Sequence, residues 1–397
     1  MAQNKATKRT KRVTKKATPK SAASAAAVHA SPKVRAATQQ QVLEAAAAHL
    51  ASKFRRPVVS KMDELDTTVP GWVSTQSLAL DWVCDAEHGR GLPLSRIVDV
   101  TGEEGVGKST IADHVMAEFQ RRGFHAHLWD TENARDTNYQ RKVGIVRSKA
   151  GQIDADSMEE GFDVMTELIS WHVANDPDRP GVIVWDTPAG TPTAAELDED
   201  KTNERFGPAK IIKAKLRRLN VVLRKSNWLL LIVNQLYNGQ TPSGQAYKVA
   251  YGGSGIPYFA SVRLTVSHPS KFWRTNSEKE MGQPPLGQTV YVKCVKNRVA
   301  PPHRSRQIAV EYGVGISNVW DVFNTLEGAG AIKQAGGWYS FDPAYDAELA
   351  RVVDRKFQGG YLGLGSVIAS HEDRTGLWKR LMSEHLKLNK PVTQEGA

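Results

Sequence analysis

From about residue 96 the chain alternates short apolar runs with longer segments in which apolar residues recur at helical spacing. Arg96–Val100, His125–Trp129, Val182–Trp185, Trp228–Val233, Ala260–Val266, Thr289–Val295 and Gln307–Glu311 read as strands, and Ser109–Arg122, Met158–Val173 and Pro208–Lys225 as helices. Runs such as Trp228-Leu-Leu-Leu-Ile-Val233, apolar at every position, belong to strands covered on both faces. The pattern therefore predicts an α/β protein with a mixed, largely parallel central sheet flanked by helices. The last strands follow one another without intervening helices, which predicts an antiparallel extension. Before this region Gln39–Phe54 reads as an Ala-rich helix and Pro57-Val58-Val59 as extended. After about Asn318 the pattern turns helical and Gly-punctuated, as in Gly336-Gly337-Trp338-Tyr339-Ser340, and predicts a small C-terminal α/β domain. The expected division is a basic tail at 1–38, a helix and strand at 39–68, a core at 69–317 and a C-terminal domain at 318–397.

Composition changes this picture at one end only. The 397 residues carry a formal net charge of +11, yet residues 1–43 hold ten cations and no acid, leaving about +1 for all the rest. The basicity belongs to a tail rich in Ala, Thr, Ser and Lys that cannot bury enough apolar surface to fold alone. Such an arm reads either as one drawn to phosphate backbones by counterion release or as a solubilising leader. Cys84 and Cys294 supply neither a disulfide framework nor a metal-ligand spacing, which fits a reducing, cytoplasmic compartment. No apolar run is long enough to span a bilayer, so no membrane partner is expected.

The sharpest chemical signal is Gly102-Glu103-Glu104-Gly105-Val106-Gly107-Lys108-Ser109, followed by Thr110, placed where a strand ends and a helix begins. In this phosphate loop the glycines let backbone N–H groups turn inward around phosphates, Lys108 reaches the β/γ oxygens and the Ser109 hydroxyl ligates Mg²⁺. Two further strands deliver acids at their C-terminal ends, where α/β sheets place ligands. Asp186, closing an apolar strand, is expected to orient a Mg²⁺-bound water, and Glu132 to act as general base. Gln235 ends another apolar strand and is placed to sense a γ-phosphate. The segment 236–257 after it, rich in Gly, Gln, Ser and Tyr, reads as a long irregular loop. Its Tyr247, Lys248 and Tyr251 suit base stacking and phosphate contact.

The order of these motifs resembles the RecA-type recombinases of bacteria and phages, over about Gln41 to Phe341. The matching stretches include Ser74–Asp81, the phosphate loop, Asp130-Thr131-Glu132-Asn133-Ala134 with Asp136 and Tyr139, Val182–Thr187, Ser226–Gln235, Gly252-Gly253, Tyr258–Leu264, Lys293–Pro301 and Ala335–Ser340. The resemblance implies a RecA-like ATPase core using ATP and Mg²⁺, with a polymerisation element at 39–68 and DNA-binding loops near 198–207 and 236–257. Glu132 matches the glutamate that activates the attacking water, and Gln235 the glutamine that couples the γ-phosphate to the second DNA loop. Asp136 and Tyr139 match residues that hold adenine. Lys296 and Arg298 match a cation pair that reaches the neighbouring subunit's ATP. Arg205, Phe206 and Gly207, with Tyr247, Lys248, Tyr251, Gly252 and Gly253, fall in the two DNA loops.

Several positions depart from the family pattern. Pro257-Tyr258 stand where Lys-Phe is usual, Gly244 replaces a central aromatic, the first loop is acidic at Asp198-Glu199-Asp200, and the basic N-terminal arm is extra. These departures mark a diverged member, acting in the cytoplasm on the nucleoid or, if phage-encoded, in the cytoplasm of the host. The implied activity is a DNA-dependent ATPase that forms helical homo-oligomeric filaments on single-stranded DNA and pairs it with homologous duplex. A hexameric helicase-type motor with the same core, or a non-catalytic DNA-coating protein, are the alternatives.

Overall fold

A computed structural model describes residues 32–59, 69–85, 87–198, 207–240, 246–353 and 356–388. The described residues divide into two units, one before and one after the boundary between Thr68 and Val69. In the first, a helix spans Pro32–Phe54, starting at Pro32 rather than at the expected Gln39. Proline is tolerated in a first helical turn, where its missing N–H has no partner to lose, and the Ala-rich sequence beyond it favours the helix. The basic segment before Pro32 lies outside the described residues.

The second unit is built on a ten-stranded sheet. Along the sheet the strands run Gly315–Ile316, Ser305–Glu311, Gly287–Asn297, Val262–Phe272, Ile97–Gly102, Trp228–Gln240, Gly181–Asp186, His125–Asp130 and Gly151–Gln152, with Ala246–Ala250 paired onto Trp228–Gln240. From Val262–Phe272 to Gly151–Gln152 the strands along this order are parallel to their neighbours, while beyond Val262–Phe272 the pairings turn antiparallel; the expected absence of helices there holds except for the short helix Asn276–Glu280 between Val262–Phe272 and Gly287–Asn297. Alternation splits the central strands between two cores. Leu229, Leu231, Val182, Val184, Val98 and Val100 face the helix Lys108–Arg121, whereas Leu230, Ile232, Ile183 and Trp185 face the helices Met158–Asn175 and Pro208–Leu223. All ten of these side chains are fully buried, each contributing on the order of 1.5–3 kcal/mol of transfer free energy.

Residues 319–382 build a third core, gathered around Phe323, Leu326, Phe357 and Leu364, against which Leu78 also packs. It is formed by the helix Asn318–Gly328, the hairpin Ile332–Ala335 with Trp338–Phe341, and three further helices.

The region expected as an irregular loop after Gln235 is different. The strand begun at Trp228 continues to Gln240 and pairs antiparallel with Ala246–Ala250, in the register Leu236 with Ala250, Tyr237 with Val249 and Asn238 with Lys248. Tyr and Val at alternate positions favour a pleated ribbon, and this local β-propensity prevails over the Gly and Ser content. A short helix, Gly255–Phe259, follows. Pro257 lies in its first turn, where a proline removes no helical hydrogen bond.

Candidate functional site

Register in the parallel sheet builds the site. Gly102 pairs with Gln235, and Asp130 with Asp186, so four neighbouring strands deliver a phosphate loop, an amide and two acids to one end of the sheet. There a cleft of about 340 Å³ is lined by Glu104, Gly105, Gly107, Lys108, Ser109, Thr110, Glu132, Tyr139, Asp186 and Gln235, joined by Gln288, Val310, Tyr312 and Gly313 from the antiparallel strands. This cleft lies at the C-terminal ends of parallel strands, the general location for ligands in open α/β sheets.

The loop itself is shaped for an anion. Gly105 and Gly107 take φ of +72° and +88°, a backbone conformation that a side chain strains. Gly107 is also the N-cap of the 14-residue helix Lys108–Arg121 and provides no capping side chain, so the first N–H groups of that helix are left for a ligand. Lys108 Nζ donates to the Glu103 carbonyl at 2.6 Å, folded along the loop. Burial lowers its pKa, while Asp186, Glu132 and Glu104 act to raise it.

Ser109 Oγ donates to Asp186 Oδ2 at 2.7 Å, placing a hydroxyl and a carboxylate together at the mouth of the loop. This donor set suits a hard divalent cation such as Mg²⁺, which takes one or two protein oxygens and completes its shell with water and phosphate oxygens. Among the described residues no group of three or more His, Cys, Asp or Glu could hold a metal by itself. Glu132 accepts from Gln235 Nε2 at 2.8 Å, and partial desolvation followed by the nearby Asp186 and Asp130 raises its pKa. Tyr139 Oη donates to Thr110 Oγ1 at 3.1 Å, lining the wall of the cleft.

Other expected residues stand elsewhere. Asp136 does not line the cleft; it caps the helix Thr137–Val143, accepting from Asn138 N at 2.8 Å. Lys296 Nζ donates to the carbonyls of Pro257 (2.6 Å) and Tyr258 (3.1 Å), and Arg298 Nη2 to that of Tyr258 (3.1 Å). Both cations therefore lie outside the cleft of their own chain, and burial followed by Arg298 brings the Lys296 pKa down to about 8.

In the ribbon, Lys248 is exposed and pairs with Glu103 of the phosphate loop at 2.9 Å. Tyr251, expected to face DNA, is half-buried and packs on the core below the helix Pro208–Leu223. Gly252 and Gly253, with φ of +82° and +63°, let the chain turn tightly over Ile212 and Ala209. Tyr247 pairs with Gly239 through its backbone, and Gly207 caps the helix that starts at Pro208. Arg205 and Phe206 lie outside the described residues.

Motif reading passed over Asp113, Arg135, Gln288 and Tyr312. Gln288 Nε2 donates to the Gly105 carbonyl at 2.6 Å and its Oε1 accepts from Tyr312 Oη at 3.3 Å, bracing the phosphate loop from the antiparallel strands. Arg135 Nη2 donates to Asp186 Oδ2 at 2.5 Å, and its Nη1 donates to Asp113 Oδ1. The one available signal was Asp113 itself, a carboxylate amid the apolar positions Ile111, Ala112, Val115 and Met116 of the same helix.

A phosphate loop between a central parallel strand and a helix, with acids and an amide on the adjoining strand ends, defines a nucleotide-binding α/β protein of the phosphate-loop class. The chain belongs to the RecA family: the RecA N-terminal domain matches it over residues 41–317. It is similar to Protein RecA of Caulobacter vibrioides (strain NA1000 / CB15N), with 32% identity over 304 residues, covering 76% of this chain and 81% of that relative. Protein RecA of Thermus thermophilus is 30% identical over 305 residues, 77% of this chain and 85% of the relative. At such identities the chain is a diverged RecA-type recombinase by family. No described helix is long and apolar enough to cross a membrane.

Proposed function

We propose that this protein is a DNA-dependent ATPase that assembles into helical filaments on single-stranded DNA and promotes pairing and strand exchange with homologous duplex. The observation that carries the reading is the Gln235–Glu132 hydrogen bond, because Gln235 lies within the strand Trp228–Gln240, which runs without interruption into the pairing with the Tyr- and Lys-bearing Ala246–Ala250. A change at the nucleotide thereby has a covalent route to a surface suited to DNA.

In the proposed reaction the backbone of Gly105–Ser109 and the Lys108 ammonium hold the ATP phosphates, and Tyr139 lines the adenine side. Ser109 and Asp186 would hold Mg²⁺, which supplies charge neutralisation on the β- and γ-phosphates. Glu132, its carboxylate made more basic by burial and neighbouring acids, takes the proton of the attacking water. Gln235, released from or retained by Glu132 according to the γ-phosphate, passes the nucleotide state into the ribbon. Lys296 and Arg298, outside their own chain's cleft, are available to a neighbour's ATP. There they would stabilise charge on the transferring phosphoryl group and make hydrolysis depend on assembly.

The test is a pairing assay between single-stranded and homologous duplex DNA with ATP, combined with electron microscopy. Joint molecules and open helical filaments are expected. Closed rings, or DNA binding indifferent to ATP and to Lys108→Ala, would overturn the reading in favour of a ring motor or a passive coating protein.

A further inference from the structure

The guanidinium of Arg135 is unusual in its setting. Its side chain is 8% exposed and lies between two carboxylates that are themselves 3% and 10% exposed, Asp113 and Asp186. One belongs to the phosphate-loop helix and the other closes the strand Gly181–Asp186. Arg135 also directly precedes Asp136, which caps the helix carrying Tyr139. A planar fork suits this task, because its two terminal nitrogens can donate in different directions at fixed angles. Asp186 Oδ2 therefore receives two donors, Ser109 Oγ at 2.7 Å and Arg135 Nη2 at 2.5 Å. Both hydrogen bonds converge on one oxygen of the carboxylate and restrain its orientation.

We propose that Arg135, anchored by Asp113, is a positioning residue for the Mg²⁺ site: it sets the orientation of the Asp186 carboxylate and the charge which that carboxylate presents to the ion. This rests on the nucleotide-site reading above. With Asp113 in place, the three side chains together carry one net negative charge, as Asp186 alone would, so orientation is gained without neutralising the site. Without Asp113 the guanidinium would turn its charge wholly onto Asp186 and compete with the ion.

The test measures binding of a fluorescent ATP analogue to the full-length protein, in EDTA and across a Mg²⁺ titration. Two variants are used, Asp113→Asn and the double variant Asp113→Leu with Arg135→Leu. The double variant replaces a buried ion pair by an apolar pair, a change that folded proteins often accept, so a folded sample is available if the single variant unfolds. In both variants the Mg²⁺ concentration at half-saturation should rise about tenfold, the usual cost of losing a partner that orients a metal-binding group. Affinity in EDTA, which depends on the loop backbone and Lys108, should stay close to that of the wild type. A Mg²⁺ midpoint equal to that of the wild type would overturn the proposal, as would an equal loss of affinity with and without Mg²⁺, which marks a purely structural role. If the wild type binds the analogue no better than Lys108→Ala does, the nucleotide-site reading itself fails, and the two failures are thus told apart.

Discussion

Gln235 Nε2 donates to Glu132 Oε1 at 2.8 Å, so the candidate general base and the candidate sensor hold each other at the mouth of the phosphate loop. The amide can stay with Glu132 or turn to a γ-phosphate. Replacing Glu132 by Gln removes the base while keeping a side chain of the same shape. Turnover with single-stranded DNA and ATP should fall by about 10²–10⁴-fold, with nucleotide binding nearly unchanged. Steady-state ATPase assays and equilibrium binding measure the two separately, and a Glu132→Gln protein that turns over at the normal rate would end the assignment.

The ribbon touches the nucleotide loop a second time through Lys248 and Glu103, 2.9 Å apart. Both side chains are exposed, so the pair contributes little stability, but it occupies a cation suited to a DNA phosphate. Lys248→Ala should lower the slope of log affinity against log salt for single-stranded DNA by about 0.7. Glu103→Gln should strengthen nucleotide-free DNA binding by releasing Lys248. A salt slope unchanged in Lys248→Ala would remove this residue from the DNA surface.

The parallel strands and the phosphate loop were legible in the sequence because each is carried by local signals: apolar runs of strand length, a glycine spacing, an acid after a strand. The pairing of 236–240 with 246–250 was not, because Gly, Gln and Ser content suggests an irregular loop while pairing depends on a register that only the partner strand reveals. The same limit hid the bracing by Gln288, which reaches Gly105 across 183 positions of sequence. Arg135 lies between the motif residues Ala134 and Asp136 yet carries no signal of its own, since its meaning depends on Asp113 and Asp186 meeting around it. Tyr251 looked like a stacking residue by type, and only packing shows it half-buried.

Lys296 and Arg298 donate to the carbonyls of Pro257 and Tyr258 and do not reach their own cleft. If they serve the neighbour's ATP, a chain lacking them and a chain lacking Lys108 are defective in complementary halves of one interface. Each variant alone, Lys108→Ala or Lys296→Ala with Arg298→Ala, should have background ATPase activity. An equal mixture, assembling at random head to tail, should recover roughly a quarter of wild-type turnover, because one interface in four then joins two intact halves. No recovery from a mixture that still forms filaments would show that the cations act elsewhere.

His114 and His127 set an acid limit on stability. The backbone N–H of Ile316 donates to His114 Nε2 at 2.9 Å, so that nitrogen must be an acceptor and the ring neutral, with Nδ1 turned to Gln76 Oε1 at 3.0 Å. Burial lowers the pKa of both histidines from 6.5 to about 4; at His127 the neighbouring His172 and His125 add to the effect. The folded state thus binds fewer protons than the unfolded chain between these values, and stability falls as pH drops from 6.5 towards 4. Above 6.5 both states hold neutral rings and these groups contribute no slope. Within the window each histidine should cost up to about 1.4 kcal/mol per pH unit. Urea unfolding at pH 7 and pH 5 measures the loss. His114→Gln should unfold more readily at pH 7 yet lose less between the two pH values. An equal pH loss in wild type and variant would assign the acid sensitivity to other groups.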